Sequence, residues 1–243
     1  RVFGRTDRYY TKLYEAETNF DCHLLVDASA SMNYGSGKVS KLEYAKYLSA
    51  SLAYLVLKQR DSVGLSVFDS EVRAYLPPRS AMGIILEIDR LLKGVKTTPK
   101  TSLAKQLHDV ALMMKRRSVV VVISDFLSDV EDILGGLDHL RFDGHNVIVL
   151  HTLDPYELEF PFDGTWRFEG LEGEEPLTTQ PQRIRDDYLA SMGEYMESLR
   201  AGCVAAQIDY AVVDTSRPLD VFLSEFINER QTTLGGGAPA ARS

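Results

Sequence analysis

The chain has 243 residues, of which 44% are hydrophobic and 26% charged, a composition that fits one soluble globular domain. Its formal net charge of -8 argues against a nucleic-acid-binding protein, because neutralising phosphates requires a concentrated basic face. No apolar run approaches the roughly 18 residues that a membrane span needs, so we expect no membrane span in this chain.

The two cysteines, Cys22 and Cys203, have no metal-like spacing. We expect two free buried thiols in a reducing, cytoplasmic compartment, although a pairing between them stays open. The chain begins at Arg1 rather than Met, and we expect it to be a piece of a longer protein. Residues 231–243 are rich in Gly and Ala and are predicted to form a disordered tail.

Short apolar runs alternate with stretches of helical periodicity along most of the chain. In chain order, the first half predicts a strand at 22–27, a helix at 42–58, strands at 62–68 and 72–76, and helices at 81–92 and 102–115. The second half predicts a strand at 118–124, a helix at 130–141, a strand at 146–153, a helix at 188–201, a strand at 209–213 and a helix at 219–229. Pro77 and Pro78 are expected to end the strand at 72–76.

This order predicts an α/β fold, a doubly wound, mostly parallel sheet with helices on both faces and one antiparallel edge strand. We expect one domain over 21–230, preceded by an N-terminal extension over 1–20. An insertion at 154–182 interrupts it with eight acidic residues, four prolines and the only tryptophan, Trp166. A small hairpin at 165–171 is conceivable there, but the pattern favours a long surface excursion.

The most informative motif follows the first predicted strand. Asp27, Ser29 and Ser31 form a D-x-S-x-S sequence that puts one carboxylate and two hydroxyls on a single loop. Such hard oxygen ligands suit Mg2+, with Mn2+ or Ca2+ as alternatives. Ligands in sheets of this kind bind beyond the C-terminal strand ends, where the strand order reverses. The position and the chemistry of the motif therefore agree.

Two further oxygen-bearing residues extend this set. Thr101 precedes a predicted helix, and Asp125 ends the most apolar strand. If the strands at 22–27 and 118–124 are neighbours, their C-terminal ends lie about 5 Å apart, and all five residues can surround one ion. The alternative is that these residues, or Ser128, are N-caps of the helices that follow them.

Charge counting predicts how such a site would act. Two carboxylates against a divalent cation leave it roughly neutral, so it should hold its metal weakly and accept a carboxylate in exchange for water. An Asp or Glu of a partner protein is the expected extra ligand. The flanking loops supply the candidate partner-binding residues Met32, Asn33, Tyr34, Thr98 and Lys100.

These motifs resemble the metal-ion-dependent adhesion site (MIDAS) of von Willebrand factor A domains. The resemblance implies that Asp27, Ser29, Ser31, Thr101 and Asp125 coordinate Mg2+ and that a partner's acidic side chain completes the shell. The family usually has glycine at the fourth position of the loop motif, where this chain has Ala30.

A closer resemblance is to the bacterial family "domain of unknown function 58", a branch of the same superfamily. Three stretches carry it: RTDRYYTKLYEAETNFDCHLLVDASASM, LEFPFDGTWRFEGLEG and DYAVVDTSRPLDVFLSEFINER. Members are typically encoded beside a MoxR-type AAA+ ATPase. The resemblance thus implies an adaptor that works with such an ATPase in maturing another complex.

Other functions have weaker support from the residues. Ser29 and Ser31 lack the G-x-S-x-G context of a hydrolase nucleophile, and the P-loop and G-x-G-x-x-G motifs are absent from the sequence. A metal-dependent phosphatase with Asp27 as nucleophile stays open, although such enzymes need a second Asp where this chain has Ser29. A structural module without metal also stays open. We expect a protein that is not an enzyme.

Overall fold

The computed structural model describes residues 20–97, 103–171 and 175–235, with side chains to residue 230. The strands in these ranges are β1 (Asp21–Asp27), β2 (Ser62–Phe68), β3 (Val72–Arg79), β4 (Ser118–Ser124), β5 (Asn146–Leu153), β6 (Trp166–Phe168), β7 (Leu177–Thr179) and β8 (Asp209–Asp214). The helices are α1 (Lys41–Lys58), α2 (Ile84–Gly94), α3 (Leu103–Met113), α4 (Val130–Phe142), α5 (Pro155–Glu159), α6 (Arg185–Ala205) and α7 (Leu219–Gly235).

Six strands form the central sheet in the order β3-β2-β1-β4-β5-β8, and all neighbours are parallel except the pair β2 and β3. Apolar residues of α1, α2 and α7 pack on one face of the sheet, and those of α3, α4 and α6 pack on the other. The predicted fold class is confirmed: the architecture is a doubly wound, mostly parallel α/β fold with helices on both faces and one antiparallel edge strand. The strand order reverses between β1 and β4, which pair directly, for example Val26 with Ile123.

Several element boundaries differ from the predicted ones. β3 continues through Pro77 and Pro78 to Arg79, so the prediction that these prolines end the strand is wrong. An edge strand tolerates proline because the missing N–H need not face a neighbouring strand. At the C-terminus, α7 extends to residue 235 and enters the segment predicted to be disordered. Residues 1–19 and 236–243 lie outside the described residues.

The insertion at 154–182 contains more regular structure than the predicted surface excursion. Asp154 caps α5 and forms a capping box with Glu157. Trp166 pairs with Thr179 and Phe168 with Leu177, so β6 and β7 form a separate two-stranded sheet. A hairpin is therefore present, but its second strand lies at 177–179 instead of within 165–171.

Two smaller expectations concern the cysteines and the membrane. Cys22 and Cys203 are both buried and free, as expected. None of the helices in the described part of the chain has both the length and the apolar character that crossing a bilayer demands.

Candidate metal and partner-binding site

The loops after β1 and β4 bring two predicted site residues together at the C-terminal edge of the sheet. Asp27 ends β1 and Asp125 directly follows β4, and the two side chains are buried, with Asp27 2% and Asp125 0% exposed. One Asp27 oxygen accepts a hydrogen bond from the Ser29 backbone N–H at 2.8 Å, and the other accepts from Ser124 Oγ at 2.5 Å. The Asp27 carboxylate is therefore held in a fixed orientation.

The two carboxylates influence each other electrostatically. Burial, and after it the negative charge of Asp125, raise the pKa of Asp27 to about 6, although hydrogen bonds from Ser124 and Ser29 partly oppose the rise. Ionising Asp27 therefore costs free energy at neutral pH. A cation bound at this edge would relieve that cost.

The D-x-S-x-S loop presents its two hydroxyls next to each other. Ser29 and Ser31 are buried, and their Oγ atoms lie 3.1 Å apart. Ser29 occupies the N-cap position of a short 3-10 helix (Ala30–Asn33), but its side chain makes no capping hydrogen bond there, and α1 is capped by Ser40. The capping alternative fails for Asp125, because Asp129 caps α4 and accepts from two backbone N–H groups there.

The other predicted residues have different outcomes. Thr101, Thr98 and Lys100 lie outside the described residues. Asn33 is exposed and Tyr34 half-buried, which leaves both available to a partner. Met32 is fully buried in the core, so its prediction as a partner-binding residue is wrong: its thioether anchors the loop instead.

Sequence reasoning missed Lys41, which enters this site from the first turn of α1. Its side chain is fully buried, and Nζ donates to Asp125 Oδ2 at 2.8 Å and to Glu157 Oε1 at 2.6 Å. Burial by itself lowers the pKa of Lys41, but the two carboxylates outweigh burial and the net shift is upward. Lys41 is therefore a permanent cation beside Asp125.

Sequence reasoning missed Glu157 as well as Lys41, and each of the two residues carries a signal in the sequence. Lys41 lies three, four and seven positions before Tyr44, Ala45 and Leu48, which are buried on one face of α1, and a lysine on an apolar face needs a buried anionic partner. Glu157 follows Asp154 and Pro155 in the D-x-x-E spacing of a capping box. What the sequence does not reveal is that these two residues meet.

The side chains at this site carry the kinds of oxygen ligand that a hard divalent cation prefers. Asp27 supplies a fixed carboxylate and Ser29 and Ser31 supply hydroxyls, which are typical ligands of Mg2+. Asp125 would bind through Oδ1 or through water, because Lys41 already contacts Oδ2. Over the described residues, no cluster of three or more His, Cys, Asp or Glu side chains is arranged to hold a metal. A site here would therefore depend on hydroxyl ligands.

The backbone after Asp125 is fixed by a second layer of contacts. His151 Nε2 donates to the Asp125 carbonyl oxygen at 3.0 Å, while its Nδ1 accepts from Tyr210 Oη at 2.7 Å. Burial lowers the pKa of His151 to about 4, so the ring is neutral at neutral pH and this pattern persists. Phe126 has a φ of 50°, and its carbonyl accepts from Tyr195 Oη. These contacts hold the sharp turn that aims Asp125 at the site.

The glycine-rich loop after Ser31 is fastened to the acidic insertion. Ser36 donates to the Asp154 carboxylate from its backbone N–H at 2.8 Å and from Oγ at 2.5 Å. Gly35 allows this path, because a Cβ there would lie 2.6 Å from the Val39 carbonyl oxygen. The insertion therefore forms part of the site.

Replacing Ser36 by Ala should loosen this loop. The variant loses one hydrogen bond to a charged carboxylate, and we expect a decrease of about 1–2 kcal/mol in the free energy of unfolding. Hydrogen exchange of the backbone amides in residues 33–37 should accelerate, while exchange in β4 stays unchanged. Unaltered exchange in the loop would show that the backbone N–H contact alone holds it.

Comparison with known proteins places this chain among uncharacterised bacterial sequences. The family described as "Protein of unknown function DUF58" matches residues 1–197. Uncharacterized proteins of Mycobacterium tuberculosis and Mycobacterium bovis are 24% identical over 168 residues, which cover 66% of this chain and 51% of theirs. The chain thus spans about half the length of these curated relatives.

Solved structures with a similar fold include two from Bacteroides. The conserved hypothetical protein BatB of Bacteroides thetaiotaomicron has a TM-score of 0.56 and 19% identity, covering 86% of this chain and 98% of its own. An aerotolerance-related membrane protein of Bacteroides fragilis has a TM-score of 0.56 and 20% identity, covering 86% and 99%. The SpRpn10 VWA domain matches with a TM-score of 0.49 and 13% identity, covering 86% and 94%. At such identities the likeness concerns the fold.

Proposed function

This chain belongs to the family of proteins of unknown function DUF58, and from that premise we propose that it is a metal-dependent protein interaction module. Domains of the von Willebrand factor A type are protein-interaction modules. In this proposal the domain is not an enzyme: a divalent cation, Mg2+ in the first instance, binds at the C-terminal edge of the sheet. An Asp or Glu of a partner protein then completes its coordination.

One observation carries the proposal: Asp27 and Asp125 are buried side by side where the strand order reverses. Burial and the neighbouring charge of Asp125 make the negative charge of Asp27 costly without a cation. The hydroxyls of Ser29 and Ser31 add neutral ligands without adding charge. Lys41 supplies one positive charge to Asp125 and Glu157, so the cluster of three carboxylates keeps a deficit of two positive charges. A divalent cation matches that deficit.

The same charge count supports binding of a carboxylate. Asp27, Asp125 and Glu157 against Lys41 and a divalent cation give a neutral cluster, which does not repel an incoming carboxylate as a more acidic site would. Family resemblance supports a MoxR-type AAA+ ATPase as the partner, with the domain acting as an adaptor in the maturation of another complex. We place this activity in the cytoplasm because both cysteines are free thiols.

The test begins with the metal itself. Titration with Mn2+, followed by electron paramagnetic resonance, should show one bound ion per chain that Mg2+ displaces. Asp27→Asn should abolish this binding, since it removes the charge and one ligand oxygen. Asp21→Asn, at the opposite end of β1, is the matched control and should bind Mn2+ as the unaltered chain does. Equal Mn2+ binding by both variants would contradict the proposed site.

The partner is tested separately. The immobilised chain should capture the MoxR-type ATPase encoded in the same genome in Mg2+ buffer, and Asp27→Asn should lose that capture in the same buffer. Using a variant instead of a chelator keeps the ATPase's own nucleotide-bound Mg2+ in place. Equal capture by variant and unaltered chain would exclude a role for the metal in this contact.

A second candidate function rests on Lys41. Its bonds to Asp125 and Glu157 connect α1, the loop after β4 and α5, which is what a purely structural ion cluster would do. A chain that binds no Mn2+ and whose unfolding is unaffected by Mg2+ would support this structural function. Saturable Mn2+ binding would exclude it as the sole function.

A further inference from the structure

An open cleft lies directly beside the candidate metal site, between that site and the β6–β7 hairpin. Its volume is about 650 Å³, within the range of about 300–1,000 Å³ typical of binding pockets. We call it the aromatic cleft, because seven of its lining side chains are aromatic: Tyr34, Tyr156, Phe160, Phe162, Trp166, Phe168 and Tyr188. Nothing in the function proposed above requires such a surface.

The aromatic cleft is continuous with the candidate site. Ser31, one of the two hydroxyl residues, and Lys41, the partner of Asp125, both line it. Leu127, two residues after Asp125, also lines it and is 43% exposed. A carboxylate bound at the metal would therefore bring the adjoining residues of its own chain to the mouth of the cleft.

The walls of the cleft are preorganised. Phe162 contacts Trp166 and Phe168 with ring centroids 5.1 and 5.2 Å apart, both near edge-to-face. From α6, Arg185 donates to the carbonyl oxygens of Phe160 at 2.9 Å and Phe162 at 2.7 Å, which fixes the segment that carries these rings. The rings lose little conformational freedom when a ligand packs against them.

The charges at the cleft favour a neutral apolar occupant. Lys41 is paired with both Asp125 and Glu157, and the Arg167 guanidinium lies 3.4 Å from Glu169. Each basic side chain that lines the cleft in the described structure thus has an acidic partner. The surface offers aromatic area with paired charges, which suits an aromatic or large aliphatic side chain.

From this geometry we infer that the aromatic cleft selects the partner's sequence. It binds an aromatic or large aliphatic side chain that lies one or two residues from the partner's metal-bound Asp or Glu. An extended peptide advances about 3.3 Å per residue, so a residue at either position can enter the cleft while the carboxylate stays at the site. This inference rests on the proposed function and adds the identity of the neighbouring residue to it.

Trp166 provides a specific probe because it is the chain's only tryptophan and lines the cleft. Its fluorescence is followed while the chain is titrated, in Mg2+, with acetyl-Gly-Asp-Phe-Leu-Gly-amide. The matched peptides replace Phe-Leu with Gly-Gly, or Asp with Asn. We expect the Asp-Phe-Leu peptide to change the Trp166 emission and to bind roughly tenfold or more tightly than the Asp-Gly-Gly peptide, because it buries an apolar side chain.

Two variants locate the effect. Phe162→Ala removes a wall of the cleft but keeps Trp166, and it should lose most of the preference for the Phe-Leu peptide. Tyr47→Ala is the control, because Tyr47 is an aromatic residue 57% exposed that does not line the cleft. It should retain the preference. Circular dichroism of both variants checks that they are folded.

The outcomes separate this inference from the proposed function. Equal affinity for the Phe-Leu and Gly-Gly peptides, or no binding of either, would overturn the inference, while Mn2+ titration of the same sample reports independently on the metal site. A preference for the Phe-Leu peptide that persists in EDTA and with the Asn peptide would support the apolar role of the cleft and contradict the metal-bound carboxylate. A preference that survives Phe162→Ala would place binding elsewhere and overturn the inference.

Discussion

Lys41→Met should destabilise the metal-free protein by about 3–5 kcal/mol, the range observed when one partner of a buried ion pair is removed. The variant leaves the buried Asp125 and the half-buried Glu157 without the cation that lies 2.8 and 2.6 Å from their oxygens. Urea unfolding in EDTA measures the loss. We further expect Mg2+ to stabilise this variant more than it stabilises the unaltered chain, because the metal then compensates negative charge that Lys41 no longer offsets.

Lys46→Met is the matched control for this prediction. Lys46 is in the same helix and pairs at 2.7 Å with Glu43, whose side chain is 46% exposed, so its loss should cost under about 1 kcal/mol. If Lys41→Met costs no more than Lys46→Met, the buried ion cluster contributes little to stability. If Mg2+ stabilises Lys41→Met and the unaltered chain equally, Lys41 and the metal do not share Asp125.

Asp27→Asn should have opposite effects with and without metal. The folded-state pKa of Asp27 is raised to about 6, above an unfolded value of about 3.9, so the folded state binds the proton more tightly. Folding stability therefore falls as pH rises from about 4 to about 6, and the cost remains at neutral pH. In EDTA at pH 7.5 the neutral Asn should stabilise the protein by about 1–3 kcal/mol, less any loss from altered hydrogen bonding to Ser124.

In Mg2+ the unaltered chain should be more stable than Asp27→Asn. A metal at one hundred times its dissociation constant stabilises a protein by about 2.7 kcal/mol, and Asp27→Asn should gain almost none of this. Comparing urea unfolding of the variant and the unaltered chain at pH 5 and pH 7.5, with and without Mg2+, measures both effects. A variant less stable than the unaltered chain in EDTA at pH 7.5 would show that the Asp27 charge is well compensated without metal.

Much of the fold could be predicted from hydrophobic pattern because the central strands are buried on both faces. β2, β4 and β5 have the predicted boundaries, and β1 starts one residue earlier than predicted. The prediction failed where local composition and tertiary context disagree. Pro77 and Pro78 lie within a strand because β3 is at the edge, and the β6–β7 hairpin pairs segments separated by a loop whose length the pattern does not reveal.

The candidate site could be predicted to the extent that it follows from strand order. Asp27 and Asp125 meet because β1 and β4 are neighbours, which an alternating pattern of strands and helices allows one to expect. Lys41 and Glu157 were missed because they reach the site from α1 and α5, across 116 residues of sequence. Contacts of this kind depend on how separate elements pack against each other, and the hydrophobic periodicity within one element does not reveal them.

The two prolines in β3 also limit how the sheet can grow. β3 is the outer strand beside β2, and over Pro77 and Pro78 it offers no N–H groups to an added strand. A strand of another protein could form backbone hydrogen bonds with the first part of β3, but this pairing would be interrupted at the two prolines. The two prolines thereby protect chains of this protein against edge-to-edge association through β3.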